Sequence, residues 1–230
     1  MKVAVPFLLI VLVAGGWGWE HHVRTRNEAA LSAVASDLAG RQVHVSCQSF
    51  WKALVDVDSR LGDVPFPNGY AADHTHLTRA ICGKLIRFRT SSSHLELDCL
   101  STIDWRHFDG LDDANETCIR GAEPSSEALM TLAHESMHLR GWADEAVAQC
   151  YGIQEVGYTA EQLGATPAEA KGVASFMLAM QGGMPEDYQS GECRAGGQLD
   201  LHPETHDFPT EASPGAPPTG MYGPQLSRRA

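Results

Sequence analysis

The pattern of apolar and polar side chains predicts a mainly α-helical protein with a small β element. Residues 26–40 have a helical composition and end at Gly40, a residue type common just past a helix C-terminus. Residues 41–47 alternate between polar and apolar side chains, as a short strand does. Residues 50–61 allow a helical period, and the prolines and glycine of residues 63–70 predict a loop.

The middle of the chain predicts a further helix and a further strand. We expect a helix over residues 72–88 with Asp73 as its N-cap, because an aspartate side chain accepts hydrogen bonds from the first backbone N–H groups of a helix. The alternation over residues 94–100 favours a strand. Residues 104–118 are polar and acidic, and we expect them to form a loop.

The clearest helical signals lie between residues 124 and 183. Pro124 with Ser125 predicts the start of a helix that ends at Gly141, and a second helix is expected over about residues 144–154. A third helix begins with Thr166 as cap and Pro167 in the first turn, and Glu169 completes a capping box. It is expected to end at residues 181–183.

The two ends of the chain differ from its middle. Residues 1–19 hold one lysine followed by an almost unbroken apolar run, which is typical of a signal peptide or a signal anchor. We therefore expect an exported protein, either secreted or held in a membrane by this segment. Residues 20–40 are predicted as a helical stem or the first helix of the domain, residues 41–200 as the domain itself, and the proline-rich residues 201–230 as a disordered tail.

Charge and cysteine content narrow the functional classes. The formal net charge of −12 argues against nucleic acids and anionic membrane surfaces as partners. The cysteines are even in number and widely spaced, so they predict up to three disulfides in an oxidising compartment, with buried free thiols as the alternative. Their pairing stays open. They are Cys47, Cys82, Cys99, Cys118, Cys150 and Cys193.

The candidate chemistry lies in an HExxH arrangement, with His134, Glu135 and His138 on the predicted helix that ends at Gly141. Residues four apart lie on one face of a helix, so both imidazoles can reach one zinc ion at about 2 Å. Glu135 follows the first histidine, where a carboxylate can take a proton from zinc-bound water as a general base. The motif thus predicts two metal ligands and one catalytic base.

These residues resemble the zincin metallopeptidases, and the resemblance covers about 20 residues around the motif. With Gly141 and Asp144 the stretch fits HExxHxxGxxD, the metzincin pattern in which the aspartate is the third ligand. Similarity to gluzincins implies instead that Glu145, on the following helix, is the third ligand. We favour Glu145 because Asp144 directly precedes a helix and is expected to cap it. No convincing Met-turn is found.

The resemblance implies a helical zincin-like domain that binds Zn²⁺ and hydrolyses peptide bonds of a peptide or protein substrate. The alternative is a non-enzymatic cell-envelope or secreted domain with a structural zinc site or an inactive motif; a structural site needs a fourth protein ligand. A di-iron carboxylate bundle is disfavoured because it needs a second ExxH, which the sequence lacks. Residues considered for supporting roles are His74 and His76 near the site, and Tyr151 and Tyr158 as oxyanion donors.

Overall fold

The structure of the protein, a computed structural model, describes residues 24–49, 61–92, 94–105, 112–205 and 208–209. The predicted leader at residues 1–19 lies outside the described residues, as do most of the predicted helix at 50–61 and most of the predicted tail. Among the described residues, no helix is both long enough and apolar enough to cross a bilayer.

The described chain is mainly α-helical. Helix α1 covers residues 24–39, and its buried Leu31, Val34, Ala35 and Leu38 belong to the main core. The other helices are α2 (Arg79–Thr90), α3 (Leu95–Asp98), α4 (Asp113–Arg140), α5 (Glu145–Gln162) and α6 (Pro167–Met180). The capping box that opens α6 is present, as predicted for Thr166 and Glu169. Gly40 follows α1 with a φ of 65°, which confirms the predicted helix end.

A small sheet of three strands packs beside these helices. Strand β1 (His44–Cys47) pairs in parallel with the central strand β3 (His74–Leu77), and β2 (Gly62–Asp63) pairs with β3 in the antiparallel sense. The predicted strand at 41–47 is therefore confirmed. Strand β2 lies at the edge of the sheet that contacts α4.

The helix predicted over residues 72–88 begins later than expected. Residues His74–Leu77 form β3, and α2 starts only at Arg79, with Thr78 rather than Asp73 as its N-cap. The physical reason is a period of two: Thr75 and Leu77 are buried, while His74 and His76 alternate with them and point the other way. The sequence prediction assigned these alternating residues to the first turn of the helix.

The strand predicted over residues 94–100 is wrong. Residues Leu95–Asp98 form the short helix α3, and a 3₁₀ turn follows at Cys99–Thr102. The buried residues are His94, Leu97 and Leu100, which are three apart, whereas Leu95 is 72% exposed. The burial period is therefore helical, and the alternating letters did not reflect the buried face.

Helix α4 begins 11 residues earlier than predicted, because Pro124 lies inside it rather than at its start. Asp112 caps this helix by accepting a hydrogen bond from the Asn115 backbone N–H at 2.8 Å. The first turns are mostly exposed and so show no apolar period, which is why they resembled a loop. The disulfide between Cys99 and Cys118 attaches this part of α4 to the turn after α3.

The prediction of three disulfides is confirmed. Cys47 pairs with Cys82, Cys99 with Cys118, and Cys150 with Cys193, so no cysteine is free. Such a set is typical of proteins in oxidising compartments, outside the reducing cytosol. The bridge from Cys150 joins α5 to the C-terminal segment that follows α6.

Candidate metal centre

The chain reverses between α4 and α5 within four residues. Gly141 has a φ of 115°, and its backbone N–H and that of Trp142 bond back to carbonyls of α4, which ends the helix. Asp144 then caps α5, since its side chain accepts a hydrogen bond from the Val147 N–H at 3.0 Å. The predicted capping role of Asp144 is confirmed, and Glu145 becomes the first residue of α5.

Helix α5 packs closely against the part of α4 that carries the motif. A Cβ atom added to Gly152 would lie 3.1 Å from the His134 Cα and 2.6 Å from the Met130 Cε. Only glycine lets the two helices come this near. Ala148 of α5 is also buried, but the tight contact between the two helices is at Gly152.

Three potential ligand atoms converge at the start of α5. His134 Nε2 lies 3.1 Å from Glu145 Oε2, His138 Nε2 lies 3.2 Å from the same oxygen, and the two nitrogens are 3.0 Å apart. Bonds of about 2.0–2.1 Å to a tetrahedral zinc would space such atoms about 3.3 Å apart. The group therefore has the dimensions of a zinc site and could hold a metal ion.

Hydrogen bonding fixes the tautomer of His138. Its Nδ1 lies 2.6 Å from the backbone oxygen of Trp142, which can only accept, so Nδ1 carries the hydrogen. In the neutral ring Nε2 is then a bare lone pair that faces the carboxylate oxygen of Glu145. Two lone pairs this close need a cation or a shared proton between them, and histidine metal ligands are commonly oriented by such a carbonyl.

The charges of the group also suit a cation. Burial lowers the pKa of His138, which favours the neutral ring that binds metals. The hydrogen bond with His134 lowers the pKa of Glu145 to about 2, with further lowering from His138, so this carboxylate stays ionised. Both imidazoles are buried, whereas the Glu145 side chain is 38% exposed. The group is therefore closed on the histidine side and reachable past the carboxylate.

Glu135 lies beside the group but outside it. Its side chain is 5% exposed, burial raises its pKa to about 7, and its Oε2 has no hydrogen-bond partner among the described residues. Strand β2 covers it: a Cβ on Gly62 would lie 2.5 Å from Glu135 Oε1. The edge of the sheet thus fixes where this carboxylate can lie, a contact that the sequence prediction missed.

A cleft of about 640 Å³ opens onto these residues. Its walls come from β2 and the loop after it, from one face of α4, and from the end of α6 with the segment that follows. His134, Glu135, His138 and Glu145 all line it. Glu135 therefore faces a space that a substrate can enter.

Tyr188 is a further residue of the site that sequence reasoning missed. Its ring stacks on that of His134 with 5.6 Å between centroids, its hydroxyl lies near enough to Glu145 to interact with the charge of that carboxylate, and it lines the cleft. Burial raises the pKa of its phenol, and nearby carboxylates raise it further. It follows Glu145 by 43 positions in a segment without periodicity. The one signal in the sequence is its position shortly before Cys193, whose disulfide to Cys150 ties this segment to α5.

The other residues considered lie elsewhere. Tyr151 is 1% exposed and packs against Trp142, and the hydroxyl of Tyr158 bonds to Asp37, so neither faces the cleft. His74 and His76 lie on β3 and do not line the cleft either. The predicted ligands His134, His138 and Glu145 are brought together, while their metal binding stays a prediction.

Comparisons with known protein families, with curated proteins and with solved structures give no match for this chain.

Proposed function

We propose that the chain is an exported, zinc-dependent metallopeptidase in which His134, His138 and Glu145 hold the metal and Glu135 is the general base. The observation that carries the proposal is the convergence of three ligand atoms within 3.2 Å of one another. Glu135 lies at the edge of the same cleft with one carboxylate oxygen unpartnered. Two histidines, a carboxylate and a separate base are the parts that hydrolysis at zinc requires.

The number of ligands supports an enzyme over a structural zinc site. Structural sites are closed by four protein ligands, whereas catalytic sites keep a position open for water or substrate. Among the described residues the group has three members, and the carboxylate side of Glu145 faces the cleft. This arrangement leaves room for a substrate carbonyl beside Glu135.

The mechanism assigns separate tasks to the surrounding residues. Zinc, when bound, supplies a Lewis acid that polarises a carbonyl and lowers the pKa of water. Glu135 accepts the proton of the attacking water and can pass it to the leaving amine. Gly62 keeps that carboxylate in place from the edge of the sheet. The Tyr188 hydroxyl, beside Glu145, can donate a hydrogen bond to the oxygen that becomes negative in the transition state.

Two features support the proposed export. The apolar residues 1–19 have the composition of a signal peptide or anchor, and three disulfides are typical of an oxidising compartment. We therefore place the domain outside the cytoplasm, either secreted or held at a membrane.

The experiment compares the wild type with Glu135→Gln, both loaded with zinc and assayed on a broad fluorogenic peptide library. We expect equal zinc content in the two proteins and a loss of about 10²–10⁴ in turnover for Glu135→Gln, since the amide cannot accept the proton. The same purification of both proteins controls for contaminating peptidases. A zinc-loaded wild type that hydrolyses no peptide would contradict the enzyme and favour the structural alternative.

A further inference from the structure

The cleft is longer than the metal group requires. Glu123, Glu127, Met130, His134 and His138 all line it and follow one another at intervals of three or four residues, so they form a single stripe along α4. His134 follows Glu123 by 11 positions, which corresponds to about 16 Å of helix. An extended peptide spans that distance with about five residues. The cleft therefore suits a segment of extended chain.

The wall that comes from the end of α6 and the segment after it is rich in methionine. Met177 and Met180 come from the end of α6, and Met184 follows the 3₁₀ turn after it. Together with Met130 on α4, they line the same cleft as His134. Methionine side chains adapt their shape because they are unbranched and rotate freely. This part of the cleft thus fits long apolar side chains of several shapes.

The charged side chains that line the cleft are acidic. Among the described residues that line the cleft, five are Asp or Glu and none is Lys or Arg: Asp63, Glu123, Glu127, Glu135 and Glu145. Glu145 belongs to the candidate metal group and Glu135 lies beside it, while Lys84 forms an ion pair with Glu127 at 2.5 Å. Glu123 is exposed and makes no ion pair with a described residue. A cationic side chain on a bound peptide would find its complement there.

We propose that the cleft selects extended peptides that place a long apolar side chain beside the scissile bond and a Lys or Arg three to five residues away, opposite Glu123. This substrate class rests on the proposed peptidase function. A large apolar side chain next to the scissile bond should be preferred over alanine by about tenfold or more. The exposed charge contact should contribute about two- to fivefold, and raised salt should weaken it.

The test measures binding of fluorescent peptides to the zinc-loaded Glu135→Gln protein, which retains the cleft without turnover. The peptides carry Leu or Ala beside the central bond, and Arg, Gln or Glu four positions away on either side. Glu123→Gln is combined with Glu135→Gln, and Glu116→Gln is the matched control because Glu116 is exposed on the same helix but does not line the cleft. Wild-type hydrolysis of the same peptides is measured in parallel.

We expect the Leu–Arg peptides to bind best, with the preference for Arg lost in Glu123→Gln and kept in Glu116→Gln. Equal binding of all peptides, no binding of any, or a preference for Glu would overturn the proposal. If the preference is found but the wild type hydrolyses nothing, the peptidase function fails while the ligand class stands. If the wild type hydrolyses all peptides equally, the function stands and the proposed substrate class fails.

Discussion

Two histidine pairs illustrate how surroundings decide what a spacing means. His134 and His138 are four apart on α4, and their ring centroids are 4.6 Å apart. His74 and His76 are two apart on β3, with 5.3 Å between centroids. Each spacing matches the period of its element, so both pairs place two imidazoles on one face. Proximity of two rings is therefore common to a candidate metal centre and to an ordinary strand.

The difference lies in burial and in the third group. The helical pair is buried against Glu145, and the carbonyl of Trp142 turns the Nε2 lone pair of His138 toward that carboxylate. The strand pair is more exposed, with His74 beside Asp73 at 3.1 Å and His76 beside Ser46. Among the described residues, only the helical pair forms a group with a carboxylate that could hold a metal. The reversal of the chain after His138 brings Glu145 to the pair. It is therefore as necessary to the candidate metal site as the two histidines.

The largest expected effect is a loss of zinc affinity, and it should follow from removing the helical pair but not the strand pair. The free energy of zinc binding at structural sites with four protein ligands is about 10–16 kcal/mol, so each ligand accounts for several kcal/mol. Replacing both His134 and His138 with alanine should therefore weaken zinc binding at least about a thousandfold. Replacing His74 and His76 with alanine should leave the affinity unchanged. Competition with a chromophoric chelator measures both, and circular dichroism checks that each variant folds. Equal affinities in the two double variants would remove the distinction between the pairs.

The second-largest effect concerns Glu135, the proposed base, which lies beside the helical pair. Gly62→Ala places a Cβ within 2.7 Å of three atoms of Glu135, so the carboxylate must move. A displacement of about 1 Å costs on the order of a hundredfold in turnover, while zinc binding should persist. Gly83→Ala is the control, since nothing lies within 4 Å of its added Cβ. Full turnover by Gly62→Ala would show that Glu135 is not the base.

The smallest expected effect is a loss of stability that distinguishes Asp144 from its neighbour Glu145. Asp144→Ala removes the cap of α5 and should cost about 0.5–2 kcal/mol in the free energy of unfolding, with zinc affinity retained. Glu145→Gln should instead weaken zinc binding and leave the cap intact. Chemical denaturation and the chelator assay distinguish the two. A loss of zinc affinity in Asp144→Ala alone would favour the metzincin-like ligand set.

The elements around the motif could be predicted because their signals are local. The αL glycine at 141, the cap at Asp144 and the buried Leu129 and Leu132 each follow from the chemistry of a few neighbouring residues. Together, the end of α4 at Gly141 and the start of α5 after Asp144 place Glu145 near the histidines. Tertiary contacts account for the rest: Gly62 and Tyr188 reach the site from distant segments, and no period in the sequence indicates either contact.

The sequence predicted the wrong secondary structure for several segments, for physical reasons that can be named. Residues His74–Leu77 and Leu95–Asp98 are only four residues long, so their alternation could suit either a helix or a strand, and the buried partner decided. The first turns of α4 are held to the turn after α3 by the Cys99–Cys118 bridge, although Pro124 favours a helix start. Tertiary contacts decided the first two segments, whereas α4 begins at the local cap Asp112, which its exposed first turns concealed.

Zinc-edge X-ray absorption of the loaded protein tests the central claim most directly, because it counts the ligands. We predict two imidazoles and oxygen ligands at about 2.0–2.1 Å, with no sulfur. The imidazole signal should vanish when both His134 and His138 are replaced, and it should persist when His74 and His76 are replaced. A signal with sulfur, or two imidazoles that survive the loss of His134 and His138, would place the metal elsewhere and contradict the account.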